Sequence, residues 1–156
     1  MAQICTTREQ SKKLLELGIS CETADMSWHF TNMKSESLQW ELKTSRLVTK
    51  ENFFGKIEKL AAPFYKHADG SPMTGEEVFD KIWGKDLPAW SLGALIRLPP
   101  DEIRNKRFKA TYYLTIDKYG IWYSNRNEDE ENECEFYGDL FECCVEMIEH
   151  LKLNNV

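Results

Sequence analysis

Phe108-Lys109-Ala110-Thr111-Tyr112-Tyr113-Leu114-Thr115-Ile116-Asp117-Lys118-Tyr119-Gly120-Ile121-Trp122-Tyr123 is the stretch from which the fold class can be read. Ala110, Tyr112, Leu114 and Ile116 fall on one side of an extended chain, and Thr111, Tyr113 and Thr115 on the other. That period of two, carried by β-branched and aromatic residues, is what a strand with one buried face requires. Lys118-Tyr119-Gly120 supplies a turn and Ile121-Trp122-Tyr123 a returning strand, so the segment predicts an antiparallel hairpin. Upstream, Leu38, Trp40 and Leu42 alternate with Gln39, Glu41 and Lys43, while Trp28 and Phe30 flank His29. This predicts a second hairpin, with residues 32–37 as its connection.

Helices are expected around these strands. Thr6 and Glu9 form a capping box ahead of Leu14, Leu15 and Leu17, and Gly18 ends that helix. Thr49 is expected to cap a helix through residue 62, with Phe53, Phe54, Ile57, Leu60 and Ala61 on one side and Pro63 as the stop. Thr74 with Glu77 repeats the capping box before Val78, Phe79, Ile82 and Trp83. Ser91 caps a short helix onto which Trp90 can staple through Leu95, and Pro99-Pro100 ends it. Asp139 and Glu142 open a closing helix lined by Leu140, Cys144, Met147, Ile148 and Leu151. Two hairpins and about four helices make an α+β domain, an antiparallel sheet of about four strands covered by helices on at least one face.

The chain has 156 residues, of which 42% are hydrophobic, enough for one core and too few residues for two robust ones, so residues 1–156 are read as a single domain. No apolar run approaches the length of a membrane span, and residues 1–13 carry charges where a secretory signal needs an apolar stretch, so a cytoplasmic protein is expected. Five cysteines, odd in number and without a C-x-x-C pair, suggest reduced thiols. The net charge of −6 is uneven: residues 1–127 carry 19 Lys/Arg against 16 Asp/Glu, whereas residues 128–156 carry 1 against 10. Residues 125–135 are read as a flexible acidic loop holding Glu128, Asp129, Glu130, Glu131, Glu133 and Glu135.

Two stretches, Thr7-Arg8-Glu9-Gln10-Ser11-Lys12-Lys13-Leu14-Leu15-Glu16-Leu17-Gly18-Ile19 leading to Thr23-Ala24-Asp25-Met26, and Leu87-Pro88-Ala89-Trp90-Ser91-Leu92-Gly93-Ala94-Leu95, carry a resemblance. Together with the closing amphipathic helix they resemble a group of small uncharacterised prophage and mobile-element proteins of gut anaerobic bacteria. The resemblance brings no catalytic residues. It implies a setting, that of an accessory gene of a phage or integrated element.

Candidate chemistry is sparse. Cys143, Glu146 and His150 fall at helical spacing and offer S, O and N ligands, with Cys134 nearby in sequence, but the commoner reading of such a set is a solvated Glu–His face beside a buried thiol, and no metal is expected. Nucleophilic use of Cys143 or Cys144 is disfavoured by the surrounding Glu142, Glu146 and Glu149, which oppose a thiolate. His67 with Asp69, and His29 between Trp28 and Phe30, show no partner arrangement for acid–base work. Phosphate-cradle and hydrolase signatures are absent from the sequence, so no cofactor and no catalytic residue is assigned. Arg104-Asn105-Lys106-Arg107-Phe108-Lys109 is a basic run entering an aromatic strand, yet Asp101 and Glu102 precede it and the chain is acidic, so direct nucleic-acid binding is not expected.

The function expected is therefore that of a non-enzymatic accessory protein. It would dock a host protein with a basic or nucleic-acid-binding groove through the carboxylates of residues 128–135, as an inhibitor of a host defence system would. The alternative is a nucleotide-like ligand held in an aromatic pocket of Trp28, Trp40, Trp90 and Trp122.

Overall fold

A computed structural model describes residues 2–105, 109–126 and 131–156. It is an α+β fold with, among the described residues, four α-helices and two antiparallel sheets. The two predicted hairpins both form, but they seed separate sheets of three and four strands instead of sharing one.

Helix α1 spans Arg8–Glu16. Its capping box is one residue later than the sequence suggests: Thr7 Oγ1 accepts from Gln10 N–H at 3.1 Å, and Gln10 Oε1 accepts from Thr7 N–H at 2.9 Å. Thr6 has another role. Its side chain is fully buried, shares a hydrogen bond with Ser11 Oγ and accepts the Trp90 N–H. The helix ends as expected at Gly18, whose φ of +78° permits the paired bonds Gly18 N–H to Leu15 O and Ile19 N–H to Leu14 O.

Strand β1, Met26–Phe30, lies between β2, Trp40–Lys43, and β3, Leu87–Ala89. Leu38, expected in β2, sits instead in a short 3-10 turn, Glu36–Leu38, and is exposed. β3 is not signalled by the sequence because it contains Pro88. Proline is tolerated there since β3 is an edge strand and Pro88 need not donate to a ladder on its outer side.

Residues 49–62 are the main correction. No α-helix forms; the only helical turn within residues 49–62 is a 3-10 turn at Ile57–Leu60. Asn52 and Thr49 exchange side-chain to backbone bonds, as a capping pair would, and Asn52 Nδ2 also ties back to Leu47 O. Those bonds close a turn instead of starting a helix, and Gly55 follows at once with its low helical preference. Of the expected apolar side, Phe53 packs on Phe79 and Trp83, but Phe54 is fully exposed. Helix α2, Gly75–Trp83, carries the predicted Thr74–Glu77 capping box and buries Val78 and Phe79. Its first residue lies against the 3-10 turn so closely that a Cβ at Gly75 would come within 2.0 Å of Ile57 O.

The four-stranded sheet is built in chain order from β4, Glu102–Asn105, β5, Ala110–Asp117, β6, Gly120–Ser124, and β7, Glu133–Tyr137. β5 and β6 are the predicted hairpin, with Asp117 Oδ1 accepting from the N–H groups of Tyr119 and Gly120 in the turn. Ala110, Tyr112, Leu114 and Ile116 face the core as the alternation requires. Residue 108, with which the expected strand opened, lies outside the described residues. β7 begins at Glu133, so the last part of the expected loop at 125–135 is strand.

Helix α3, Leu92–Leu95, starts at Ser91, whose Oγ accepts from Ala94 N–H at 3.2 Å. Helix α4, Leu140–Leu153, starts at Asp139, and packs on β6 and β7 with α1 and α3 beside it. Between them lies the main core: Leu14, Trp90, Leu95, Ile121, Tyr123, Cys144, Val145 and Met147 are all fully buried. Removal of side chains of this size from water contributes about 1.5–3 kcal/mol each, which makes this sheet–helix layer the stable part of the molecule. A smaller cluster of Cys5, Met26 and Ala89, flanked by Trp28 and Leu42, serves the three-stranded sheet.

Candidate functional site

Strand β7 brings the described carboxylates of the acidic segment into a defined setting. Glu131 is exposed; Glu128, Asp129 and Glu130 lie outside the described residues. Glu133 is half-buried and accepts from Asn105 Nδ2 at 2.7 Å, so it is engaged within the protein. Glu135 is exposed and accepts from Asn132 Nδ2 at 2.7 Å and from Tyr137 Oη at 3.2 Å. Burial, with the Glu135 carboxylate beside it, raises the Tyr137 hydroxyl pKa. Because Ile121, Tyr123 and Phe136 point into the core, their alternates Trp122, Glu135 and Tyr137 stand on the opposite, open face of the sheet. The rings of Trp122 and Tyr137 lie 5.9 Å apart, and Tyr137 is 61% exposed. β7 is also an edge of the sheet, and its exposed charge discourages pairing with another copy of the chain.

The acidic face of α4 is less available than its composition suggests. Lys13 Nζ reaches Glu149 Oε2 at 2.6 Å, and Gln10 Nε2 donates to Glu142 Oε2 at 2.8 Å, so α1 covers part of it. Glu146 remains exposed. Among the described residues, exposed carboxylates therefore stand both at β7, as Glu131 and Glu135, and on α4, as Glu142 and Glu146.

The four tryptophans do not come together. Trp90 is fully buried, with its indole N–H donating to Thr23 Oγ1. Trp28 and Trp40 belong to the three-stranded sheet, where Trp28 Nε1 donates to Thr6 O and the Arg8 guanidinium lies 5.0 Å over the Trp40 ring. Trp122 belongs to the other sheet. They therefore line no common pocket.

Among the described residues, no group of three or more His, Cys, Asp or Glu side chains could hold a metal ion. Cys143 is buried while Glu146 is exposed, which separates two of the three helical ligands; Cys134 and His150 do line one cavity of about 380 Å³ beside Glu133 and Asn154. Burial, with neighbouring acids, raises the thiols of Cys134 and Cys143, and burial pushes Cys144 up to about 12. These thiols stay protonated and unreactive at neutral pH. His67 Nε2 faces Glu77 Oε2 at 3.2 Å, while Asp69 closes its own turn on Ser71 and does not serve the imidazole. Of the basic run, Arg104 is exposed on β4 and Lys109 precedes β5; residues 106–108 lie outside the described residues.

His29 has the partner that the sequence did not reveal. Asp86, in the connection between α2 and β3, accepts from Phe30 N–H at 3.0 Å and sits 2.8 Å from His29 Nδ1. The two residues are 57 positions apart, and a charged residue in a short connection carries no periodic signal that could have linked them.

No family model matches this chain, and the comparisons with curated proteins and with solved structures also find no match. Among the described residues, no helix is long and apolar enough to cross a membrane.

Proposed function

We propose that this protein is a non-enzymatic accessory protein of a phage or mobile element that binds a basic host protein through the acidic segment 128–135 and the adjacent open face of the four-stranded sheet. The observation that carries this reading is the grouping of the Glu135 carboxylate with the Trp122 and Tyr137 rings on that face, at the edge strand that continues the acidic run. Carboxylates attract Lys and Arg at long range, and aromatic faces bind the same cations at contact, so the two kinds of group serve one class of partner. A net charge of −6, concentrated in this region, would speed encounter with a cationic groove and would be screened by salt. A nucleic-acid-binding defence protein presents such a groove, which agrees with the mobile-element setting that the sequence resemblance implies.

The test is a tagged pull-down from host lysate at low and high salt, repeated with a lysine- and arginine-rich peptide as a defined probe. Changing the carboxylates of 128–135 to amides, or changing Trp122 and Tyr137 to alanine, should reduce retention of the peptide about tenfold or more, as expected when desolvated cation contacts are lost. Retention unchanged in both variants, or insensitive to salt, would overturn the reading.

A further inference from the structure

The open face of the four-stranded sheet is not uniform, and one end of it is built around a glycine. Asp117, Gly120 and Tyr137 lie in register across β5, β6 and β7, with Asp117 on the open side because Ile116 faces the core. A Cβ at Gly120 would come within 2.9 Å of Tyr137 Cδ1, so the tyrosine ring lies over the glycine, where a larger residue would hold it off. Trp122, the next residue of β6 on that face, flanks the ring at 5.9 Å. From this arrangement we infer that Trp122, Tyr137, Glu135 and Asp117 form a receptor for a single arginine side chain of the partner, an inference that rests on the proposed docking face and narrows its partner from a basic one to one that presents arginine.

Exposure and charge make this a cation site. Tyr137 is turned to solvent, and among the described residues no Lys or Arg lies over its ring or over that of Trp122. Further along the same face the Arg126 guanidinium covers the Tyr113 ring at 4.7 Å, so one ring of this face already carries a stacked guanidinium. Two carboxylates border the open pair. Glu135 stands at the hydroxyl end of the Tyr137 ring, where its Oε1 accepts from Tyr137 Oη and from Asn132 Nδ2, which leaves Oε2 for an incoming donor. Asp117 accepts the turn amides of Tyr119 and Gly120 through Oδ1, which leaves Oδ2. Partial desolvation of the hydroxyl, then Glu135, then Asp117 raise the Tyr137 pKa, as two anions beside the ring would. Among the described residues neither carboxylate is paired with a Lys or Arg, and Lys118, their neighbour in sequence, lies over Tyr119 instead.

Shape separates arginine from lysine. A guanidinium is planar, so it lies flat on an exposed aromatic face while its N–H groups point outward in its own plane, toward carboxylates standing at the rim of the ring. Glu135, tied to the Tyr137 hydroxyl, is at that rim. An ammonium is a compact and strongly hydrated point charge with no flat surface to stack, so it gives up more water to sit on the ring and gains less contact there.

The experiment titrates the full chain with two fluorescently labelled peptides of equal length, one all lysine and the other with its central lysine replaced by arginine, and follows anisotropy at low salt. The arginine peptide should bind about fivefold tighter, the margin of one stacked guanidinium at an exposed ring. Tyr137→Leu, at a position that is 61% exposed, should keep the circular dichroism of the chain and abolish the preference for arginine. Glu135→Gln, which keeps the ring, should also reduce that preference. Equal binding of both peptides to the unaltered chain, or a preference for arginine that survives Tyr137→Leu, would overturn the arginine site; equal and salt-sensitive binding would do so while leaving the acidic docking face standing. Binding of neither peptide would overturn the docking face and the arginine site together.

Discussion

The two sheets of this protein are unequal. The four-stranded sheet packs against α4, with α1 and α3 beside it, over a core whose centre, from Leu14 and Trp90 to Ile121 and Met147, is fully buried. Among the described residues, the three-stranded sheet has a far smaller buried apolar set, Cys5, Met26, Pro88 and Ala89, and the long connection between β2 and α2 leaves Phe54 and Phe64 exposed. Stability comes from area removed from water, so the first region should behave as the folding unit and the second as an attached, looser layer. The proposed docking face is the outside of the larger sheet, whereas the His29–Asp86 pair lies where the thinner sheet meets the connection after α2.

Trp90 is where this contrast can be broken most severely. It is fully buried in the main core, while its backbone exchanges bonds with Thr6 and its indole with Thr23. Trp90→Ala is expected to cost about 3–5 kcal/mol, read as a loss of denaturation midpoint in urea, because it leaves a large cavity in the main core. A cost near zero would mean that the main core does not depend on this residue.

Gly75 probes the thinner layer. A methyl group there would collide with Ile57 O, so Gly75→Ala should lift the 3-10 turn off α2 at a cost of about 1–3 kcal/mol. Hydrogen exchange should rise in residues 53–60 and remain unchanged in β5, β6 and α4; protection lost uniformly would show that the two layers unfold together.

Phe54 gives the smallest expected effect. It is fully exposed and, unlike Phe53, stacks on no other ring among the described residues, so Phe54→Ser should change stability by no more than about 0.5 kcal/mol. A larger loss in thermal unfolding would show that this ring is covered in solution.

Much of this architecture was legible in the sequence where local signals agree with one another. Alternation over β5, the Lys118-Tyr119-Gly120 turn, the Thr74–Glu77 box and the Ser91 and Asp139 caps all operate within a few residues, and each is found. Residues 49–62 show the limit: the apolar spacing suits a helix, yet Gly55, the Asn52 bonds and the close approach of α2 favour a turn. β4 and β7 were hidden because their exposed positions carry charge, so Ile103 and Phe136 stood out too little to suggest strands. The acidic residues of the proposed docking face could be seen in the sequence, but not the Trp122–Tyr137 pair that accompanies them.

The sequence by itself determined the mixture of helices and antiparallel hairpins, the caps that start the helices, and the concentration of negative charge toward residues 128–156, because these depend on neighbours along the chain. Only the tertiary structure decided that the hairpins belong to two sheets, that Trp90 is core while Trp122 faces outward, and that Asp86 reaches His29 from 57 residues away. Those outcomes depend on which surfaces exclude water against each other, and that competition is settled between elements distant in sequence.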